Sequence, residues 1–268
     1  MIGSWLQSVK NNYLYYAQRG GPRVKQFSPE PCNDSGKRQH RALKMQTLIL
    51  ASASPYRAIQ LKQLGLPFSQ VPAAIDETPH HGELATALCE RLAREKAARI
   101  AEHHPGAVVI GADQVVEVAG ELLGKPGTFA AARAQLRKQS GATVYFHSGC
   151  AAAYALPHED SHRSLKKGSH EELHTAADNA LQITRIARIA RIESAVNTTR
   201  VVFKALSDGQ IDDYLHRDQP YDCAGSFKSE CLGISLCAAI YSDDPSSLVG
   251  LPLITTGELL AKIGYNSN

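Results

Sequence analysis

The sequence predicts a single mixed α/β domain over residues 48–264, preceded by an extension and interrupted by an inserted segment. Three observations carry this. Apolar runs at 47–51 and 108–118 have the length and composition of buried strands, while 55–64 and 84–102 repeat apolar residues at helical spacing. Strand and helix patterns alternate along the chain, which argues for a mixed sheet flanked by helices. An apolar fraction of 43% in 268 residues is enough to build the core of such a domain.

The elements follow in order. After the strand at 47–51, Pro55 suits the first turn of a helix that Gly65-Leu-Pro67 ends. A short strand is expected near 68–71, a helix over 84–102 and a buried strand over 108–118. Thr128 can cap a helix running through Arg137. Residues 143–154 alternate as a long strand whose hairpin partner reads as 199–206. A helix at 208–215, a strand near 234–241 and a final helix from Thr255 complete the domain.

Residues 1–46 mix Gly20-Gly21-Pro22, Pro29, Pro31 and Gly36 with polar and basic residues and hold no sustained hydrophobic period. They read as a disordered N-terminal extension. No apolar region precedes a small-residue cleavage site, and Glu30 and Asp34 argue against a transit peptide. An upstream start codon is the plainer alternative, since Met45 directly precedes the first strand. Residues 156–196 read as an insert in the hairpin. His158, His162, His170 and His174 form two pairs at i,i+4, a spacing that suits two metal ligands on one helical face. No carboxylate or cysteine frame accompanies them in a clear helix, so a solvated surface is the simpler reading. The repeat Arg185-Ile-Ala-Arg188-Ile-Ala-Arg191-Ile192 drifts around a helix of 3.6 residues per turn. It reads as a solvated helix or loop, with a basic face for a membrane or partner as the alternative.

A formal charge of +3 neither calls for a nucleic acid nor excludes an anionic small molecule. No stretch approaches the roughly 18–20 apolar residues of a membrane-spanning helix. We therefore expect no nucleic-acid partner and no membrane partner, and leave a homodimer open. The six cysteines are scattered without a C-x-x-C pair or zinc-type spacing, and read as reduced thiols of a cytoplasmic protein.

Ser52-Ala53-Ser54-Pro55-Tyr56-Arg57 places two hydroxyls and a guanidinium at a strand-to-helix turn, where free backbone N–H groups favour phosphate. The same residues also fit an ordinary serine cap with a surface arginine. Asp76-Glu77-Thr78 and Gly111-Ala112-Asp113-Gln114 bring carboxylates to strand or loop ends, the donors that Mg²⁺ takes together with substrate oxygens. Lys96 and Gly124-Lys125-Pro126 add point charges for a polyphosphate. Each acid or lysine alone is more often a solvated surface group. Their ordered succession is what points to phosphate chemistry.

Together, Leu50-Ala-Ser-x-Ser-Pro-Tyr-Arg57, Asp76-Glu-Thr78, Arg91-Leu-Ala-x-x-Lys-Ala97, Gly111-Ala-Asp-Gln-Val115, Leu123-Gly-Lys-Pro126 and Asp222-Cys-Ala-Gly-Ser-Phe-Lys-Ser-Glu230 closely resemble the Maf family of nucleoside triphosphate pyrophosphatases. The resemblance covers nearly all of 48–154 and 199–264. It implies an elongated mixed sheet with two lobes around a central cleft, and hydrolysis between the α and β phosphates to give a monophosphate and pyrophosphate. On that resemblance Asp113 is the catalytic general base, and Glu77 and Asp113 share a divalent metal, Mg²⁺, that offsets phosphate charge. Ser52, Arg57, Lys96 and Lys125 hold the triphosphate.

Within the family, Tyr56, Gln114 and Glu230 look like the branch that cleaves 7-methyl-GTP. Methylation at N7 makes guanine cationic, and a cation gains about 0.5–2 kcal/mol on an aromatic face such as that of Tyr56. Glu230 can accept from the guanine N1–H and amino group. The plainer alternatives are a packed helix residue for Tyr56 and a surface carboxylate for Glu230. Cys231 stands where the motif has glycine; if that position demands a positive φ, a side chain there costs about 1–3 kcal/mol. Two other readings stay open: a dTTP or UTP pyrophosphatase of the same family, and a nucleotide-binding regulator of cell division whose catalysis is impaired.

Overall fold

Alternation along β1 (Leu48–Ala51) sends Leu48 and Leu50 to one face and Ile49 and Ala51 to the other, and both faces are buried. A strand buried on both faces belongs inside a covered sheet. β1 accordingly pairs in parallel with β2 (Ser69–Gln70) on one side and β3 (Val108–Val118) on the other. The computed structural model describes residues 47–156 and 188–265; the N-terminal extension, the four histidines of the insert and the start of the Arg-Ile-Ala repeat lie outside the described residues. Beyond β3 the pairing is antiparallel through β5 (Thr143–Ala155), β6 (Ile189–Phe203) and β7 (Cys237–Tyr241). A short β4 (Glu121–Leu123) folds back on the end of β3. Among the described residues this gives a seven-stranded mixed sheet with five α-helices, so the mixed α/β expectation holds.

The helices start where local chemistry says they should. Pro55 occupies the first turn of α1 (Pro55–Lys62), and the Ser54 side chain accepts from the Arg57 N–H. Thr128 caps α3 (Phe129–Gln139), and Ser207 with Gln210 forms a capping box at α4 (Asp208–Asp218). α2 (Ala85–His103) covers one face of the sheet over Ile49, Ala51, Val109 and Ala151. α1 and α5 (Leu253–Ile263) cover the other, where Leu50, Leu61, Ile110 and Leu259 pack. Toward the far end of β3 a further cluster, with Val116, Phe146 and Phe203, closes under Leu136 of α3 and Leu215 of α4.

The hairpin corrects the sequence reading. β6 begins at Ile189, not at residue 199, and pairs with β5 along its length. Residues 189–196 therefore belong to the sheet and not to an insert, and the described end of the Arg-Ile-Ala repeat is strand instead of helix or loop. Its spacing of three concealed this, because a regular strand would send Ile189 and Ile192 to opposite faces. A bulge opposite Tyr154 and Ala155 takes up Ala190, and both isoleucines pack on the α2 side. Residues 234–236, read as the start of a strand, belong to a 3₁₀ turn (Leu232–Leu236) before β7, and α5 starts at Leu253 instead of Thr255.

α2 lies close enough to the sheet that side chains are excluded beneath it. A Cβ built on Gly111 would stand 2.2 Å from the Ala93 carbonyl oxygen, and one on Gly149 would stand 2.3 Å from that of Cys89. Neither position can carry a methyl unless the helix moves. Gly149→Ala should therefore destabilise the domain by about 1–3 kcal/mol or more, read as a lower urea midpoint at unchanged m-value. An unchanged midpoint would show that the helix does not press on the sheet there.

Candidate active site

β3 is paired along the whole of one edge but only at the two ends of the other. β1 covers Val108 to Gly111 and β4 covers Val116 to Val118, so residues 112–115 have no strand beside them. A cleft of about 670 Å³ opens at this gap. Its walls come from the β1–α1 turn, the loop bearing Glu77, α2, the loop after β4, residues 222–224 with Phe227 and Glu230, and residues 248–249. Ser52, Tyr56, Arg57, Glu77, Lys96, Asp113, Gln114, Lys125 and Glu230 all line it. The fold thus gathers into one cleft every site residue expected from the sequence.

The period of two along β3 turns Asp113 and Gln114 to opposite faces. Asp113 shares the face of Gly111 and meets α2, where the Lys96 ammonium donates to Asp113 Oδ1 at 2.6 Å and pairs with Glu77 Oε1 at 2.7 Å. The side chains of Lys96 and Asp113 are only 8% and 10% exposed, whereas Glu77 is 58% exposed. A buried ammonium without partners would be strongly destabilising, and two carboxylates offset it here. Desolvation pushes the Glu77 carboxyl up, but the hydrogen bond from Lys96 and the charges of Lys96, Lys125 and Arg57 outweigh it and hold this group below the usual carboxylate range. Asp113 Oδ2 has no protein hydrogen-bond partner among the described residues.

Arg57 is held rigidly. Its Nε donates to the Gly250 carbonyl at 2.9 Å, and Nη1 donates to the Ala112 carbonyl at 2.9 Å and to Ser52 Oγ at 3.4 Å. Burial lowers the guanidinium pKa, and Asp113 and Glu77 oppose that shift. Gln114 shares its amide hydrogens among the carbonyls of Ser247 and Leu248 and Ser148 Oγ, at 3.0–3.1 Å. Those hydrogens are taken up within the protein, which leaves the carbonyl oxygen as what Gln114 can offer a ligand.

A second group surrounds Tyr56. Its hydroxyl donates to Asp222 Oδ2 at 3.3 Å, and Glu230 is exposed with a bond from Ser229 Oγ at 3.4 Å. Asp222 also lines the cleft, although the sequence reading carried it only as part of the motif 222–230. Its 166-residue separation from Tyr56 hides that contact. Cys231 has φ −122°, outside the left-handed region, so the strain considered for a side chain there does not arise. The glycine that this turn requires is Gly233, where a Cβ would meet the Lys228 carbonyl oxygen at 2.4 Å.

Glu77 and Asp113 both reach the Lys96 ammonium and so lie near each other, and their hard carboxylate oxygens are the donor type that Mg²⁺ takes. Among the described residues no three His, Cys, Asp or Glu side chains cluster as a cage, so an ion held here would complete its shell with water and phosphate oxygens. No helix among the described residues is long and apolar enough to cross a membrane.

A cleft with paired cations and acids, opened in the edge of a mixed α/β sheet, defines a phosphate-binding protein. Residues 47–263 match the family described as Maf-like protein, and the chain belongs to the Maf family. It is 42% identical over 219 residues to the 7-methyl-GTP pyrophosphatase of Nitrosococcus oceani, covering 82% of this chain and 94% of that one. It is 43% identical over 222 residues to the enzyme of that name from Xanthomonas oryzae pv. oryzae, covering 83% and 99%. The Polaromonas sp. protein of the same name is 42% identical over 217 residues, covering 81% and 84%. A solved HAM1 protein from Coxiella burnetii overlaps 40% of this chain and 63% of its own, at 19% identity and a TM-score of 0.30, too remote to bear on function.

Because the hydrogen bond and charge of Lys96 are the main causes that lower Glu77, Lys96→Met should raise the Glu77 pKa, leaving desolvation opposed only by the charges of Lys125 and Arg57. The native depression contributes stability above the unfolded pKa, and that stability is lost as pH falls through the folded value. Carbon-detected NMR titration of the Glu77 carboxyl checks this; a titration unchanged from wild type would show that Lys96 does not control it.

Proposed function

We propose that this chain hydrolyses 7-methyl-GTP between its α and β phosphates, releasing pyrophosphate and the monophosphate. The observation that carries the reading is the division of charge within one cleft. Arg57, Lys96 and Lys125 stand with Asp113 and Glu77 for an anionic chain, while Tyr56 stands with the carboxylates of Asp222 and Glu230 for a cationic ring. The names of the relatives agree with it. In this reading the gap in the edge of β3 is the central cleft, and the helix-covered ends of the sheet on either side of it are the two lobes.

Asp113 would take the proton of the attacking water at Oδ2, with the carboxylate oriented through Oδ1 by Lys96. Ser52, Arg57, Lys96 and Lys125 would bind phosphate oxygens. Arg57 is already locked by Gly250 and Ala112, so little side-chain entropy is lost when it does so. Glu77 and Asp113 would hold Mg²⁺, which when bound offsets charge on the phosphates. Tyr56 would stack on the methylated ring, Glu230 would accept from the N1–H and amino group, and Gln114 would offer its oxygen to the base.

Turnover of 7-methyl-GTP, GTP, dTTP and UTP with Mg²⁺, followed by pyrophosphate release, tests the assignment. 7-Methyl-GTP should be cleaved best. A preference for dTTP or UTP would place the chain in the other branch, and no release from any of the four would favour a non-catalytic nucleotide-binding regulator. Asp113→Asn should lower turnover by about 10²-fold or more with the melting temperature retained, and a loss within about threefold would remove Asp113 as the base. Tyr56→Ala should lower kcat/KM for 7-methyl-GTP beyond its effect on GTP, by up to about 2 kcal/mol. Glu230→Gln should weaken both guanine substrates, since it replaces an acceptor with a donor. Equal losses on all four nucleotides in Tyr56→Ala would make that ring a packing residue.

A further inference from the structure

The Tyr56 ring is set between two charges of opposite sign, the Asp222 carboxylate and the Lys228 ammonium, and the second plays no part in the chemistry above. Lys228 Nζ stands 3.7 Å from Asp222 Oδ1, and Asp222 Oδ2 accepts from the Tyr56 hydroxyl at 3.3 Å. The same ammonium lies 5.6 Å from the centre of the Tyr56 ring. Asp222 and Tyr56 line the cleft but Lys228 does not, and the lysine side chain is 13% exposed against 59% for Asp222. Lys228 is anchored outside the cleft: Nζ donates to the Asp218 carbonyl at 3.3 Å, and its backbone N–H donates to the Tyr214 hydroxyl at 3.0 Å. A carboxylate on the ring's hydroxyl and a fixed cation near its π system are therefore built in.

We infer that the Asp222–Lys228 pair is a specificity determinant that sets how strongly this cleft prefers a cationic base over a neutral one; the inference rests on the 7-methyl-GTP reading. The two charges act on a positive ring in opposite senses. Asp222 attracts it directly from the cleft wall, and by accepting the phenolic hydrogen it enriches the aromatic face on which the cation stacks. Lys228 repels it, and draws on the same π electrons from outside the cleft. Being more buried than its partner, the lysine is also less screened by solvent, so it offsets the carboxylate despite standing farther from the bound base. Neutral guanine carries no net charge for either group to act on. GTP, which differs only by the methyl and its charge, is thus the internal reference.

The test compares kcat/KM for 7-methyl-GTP and for GTP in the full chain and in two variants. Asp222→Asn keeps an acceptor for the Tyr56 hydroxyl and removes the charge; Lys228→Met keeps the apolar stem and removes the charge. The ratio of 7-methyl-GTP to GTP should fall about threefold to tenfold in Asp222→Asn and rise by a similar factor in Lys228→Met. Both shifts should shrink as salt is raised. Opposite signs are a signature that a packing role cannot give, because disrupted structure lowers both substrates together. If Lys228→Met unfolds, Lys228→Gln, which can still bond the Asp218 carbonyl, must show the same rise. Ratios that stay at the wild-type value, or that move in the same direction in both variants, overturn the inference. A wild type that does not prefer 7-methyl-GTP over GTP instead overturns the functional reading on which it rests.

Discussion

The site depends on the contact between the backbone of α2 and the sheet at Gly111 and Gly149. Gly149 is the cross-strand partner of Asp113, and Gly111 lies two residues before that acid on the same face. With hydrogen in place of side chains at both positions, the carbonyls of Cys89 and Ala93 come down onto the strands. Ala93 and Ala97 keep the underside of the helix thin, and Lys96 beside them reaches Asp113. A buried pair of this kind contributes little to stability once its desolvation is counted. Its position in a cleft makes function the better account of it.

The open edge of β3 solves one problem by creating another. A strand edge left unpaired exposes carbonyls and amides that need partners. The Ala112 carbonyl finds one in Arg57, so the group that lacks a neighbouring strand becomes the fixture for a cationic side chain. The turn Pro245–Val249 is drawn in by Gln114 on β3, and Gln60 of α1 donates to the carbonyls of Ser246 and Leu251 while accepting from the Leu251 N–H. These amides bind the turn whose next residue, Gly250, holds the other side of Arg57. The rigidity of one arginine is thus distributed over three segments far apart in sequence.

How much of this could be read from the chain follows from where each signal is stored. β1, β3, β5 and the caps at Ser54 and Thr128 rest on local alternation and side-chain chemistry, and they appear as expected. Glu77, Lys96 and Asp113 could be listed from the sequence, but only the fold shows that one ammonium joins them. β4 is three residues long with two exposed, which leaves no pattern to detect. The start of β6 was concealed because a bulge converts a spacing of three into a one-sided strand face. The turn conformation at Cys231 and the contact between Tyr56 and Asp222 depend on tertiary placement, which single-residue propensities do not encode.

Nearly every cation that lines or supports the cleft already has a partner in the protein. Lys96 has Asp113 and Glu77, Lys228 has Asp222, and Arg57 has two backbone carbonyls. Substrate binding is then an exchange of partners more than a transfer of bare charges out of water, which lowers the desolvation penalty of assembling so polar a complex. On the proposed reading Lys96 is the hinge of that exchange: a phosphate oxygen sharing its ammonium would loosen the tie to Glu77, the more exposed of its two acids, while Asp113 would keep the bond that orients it.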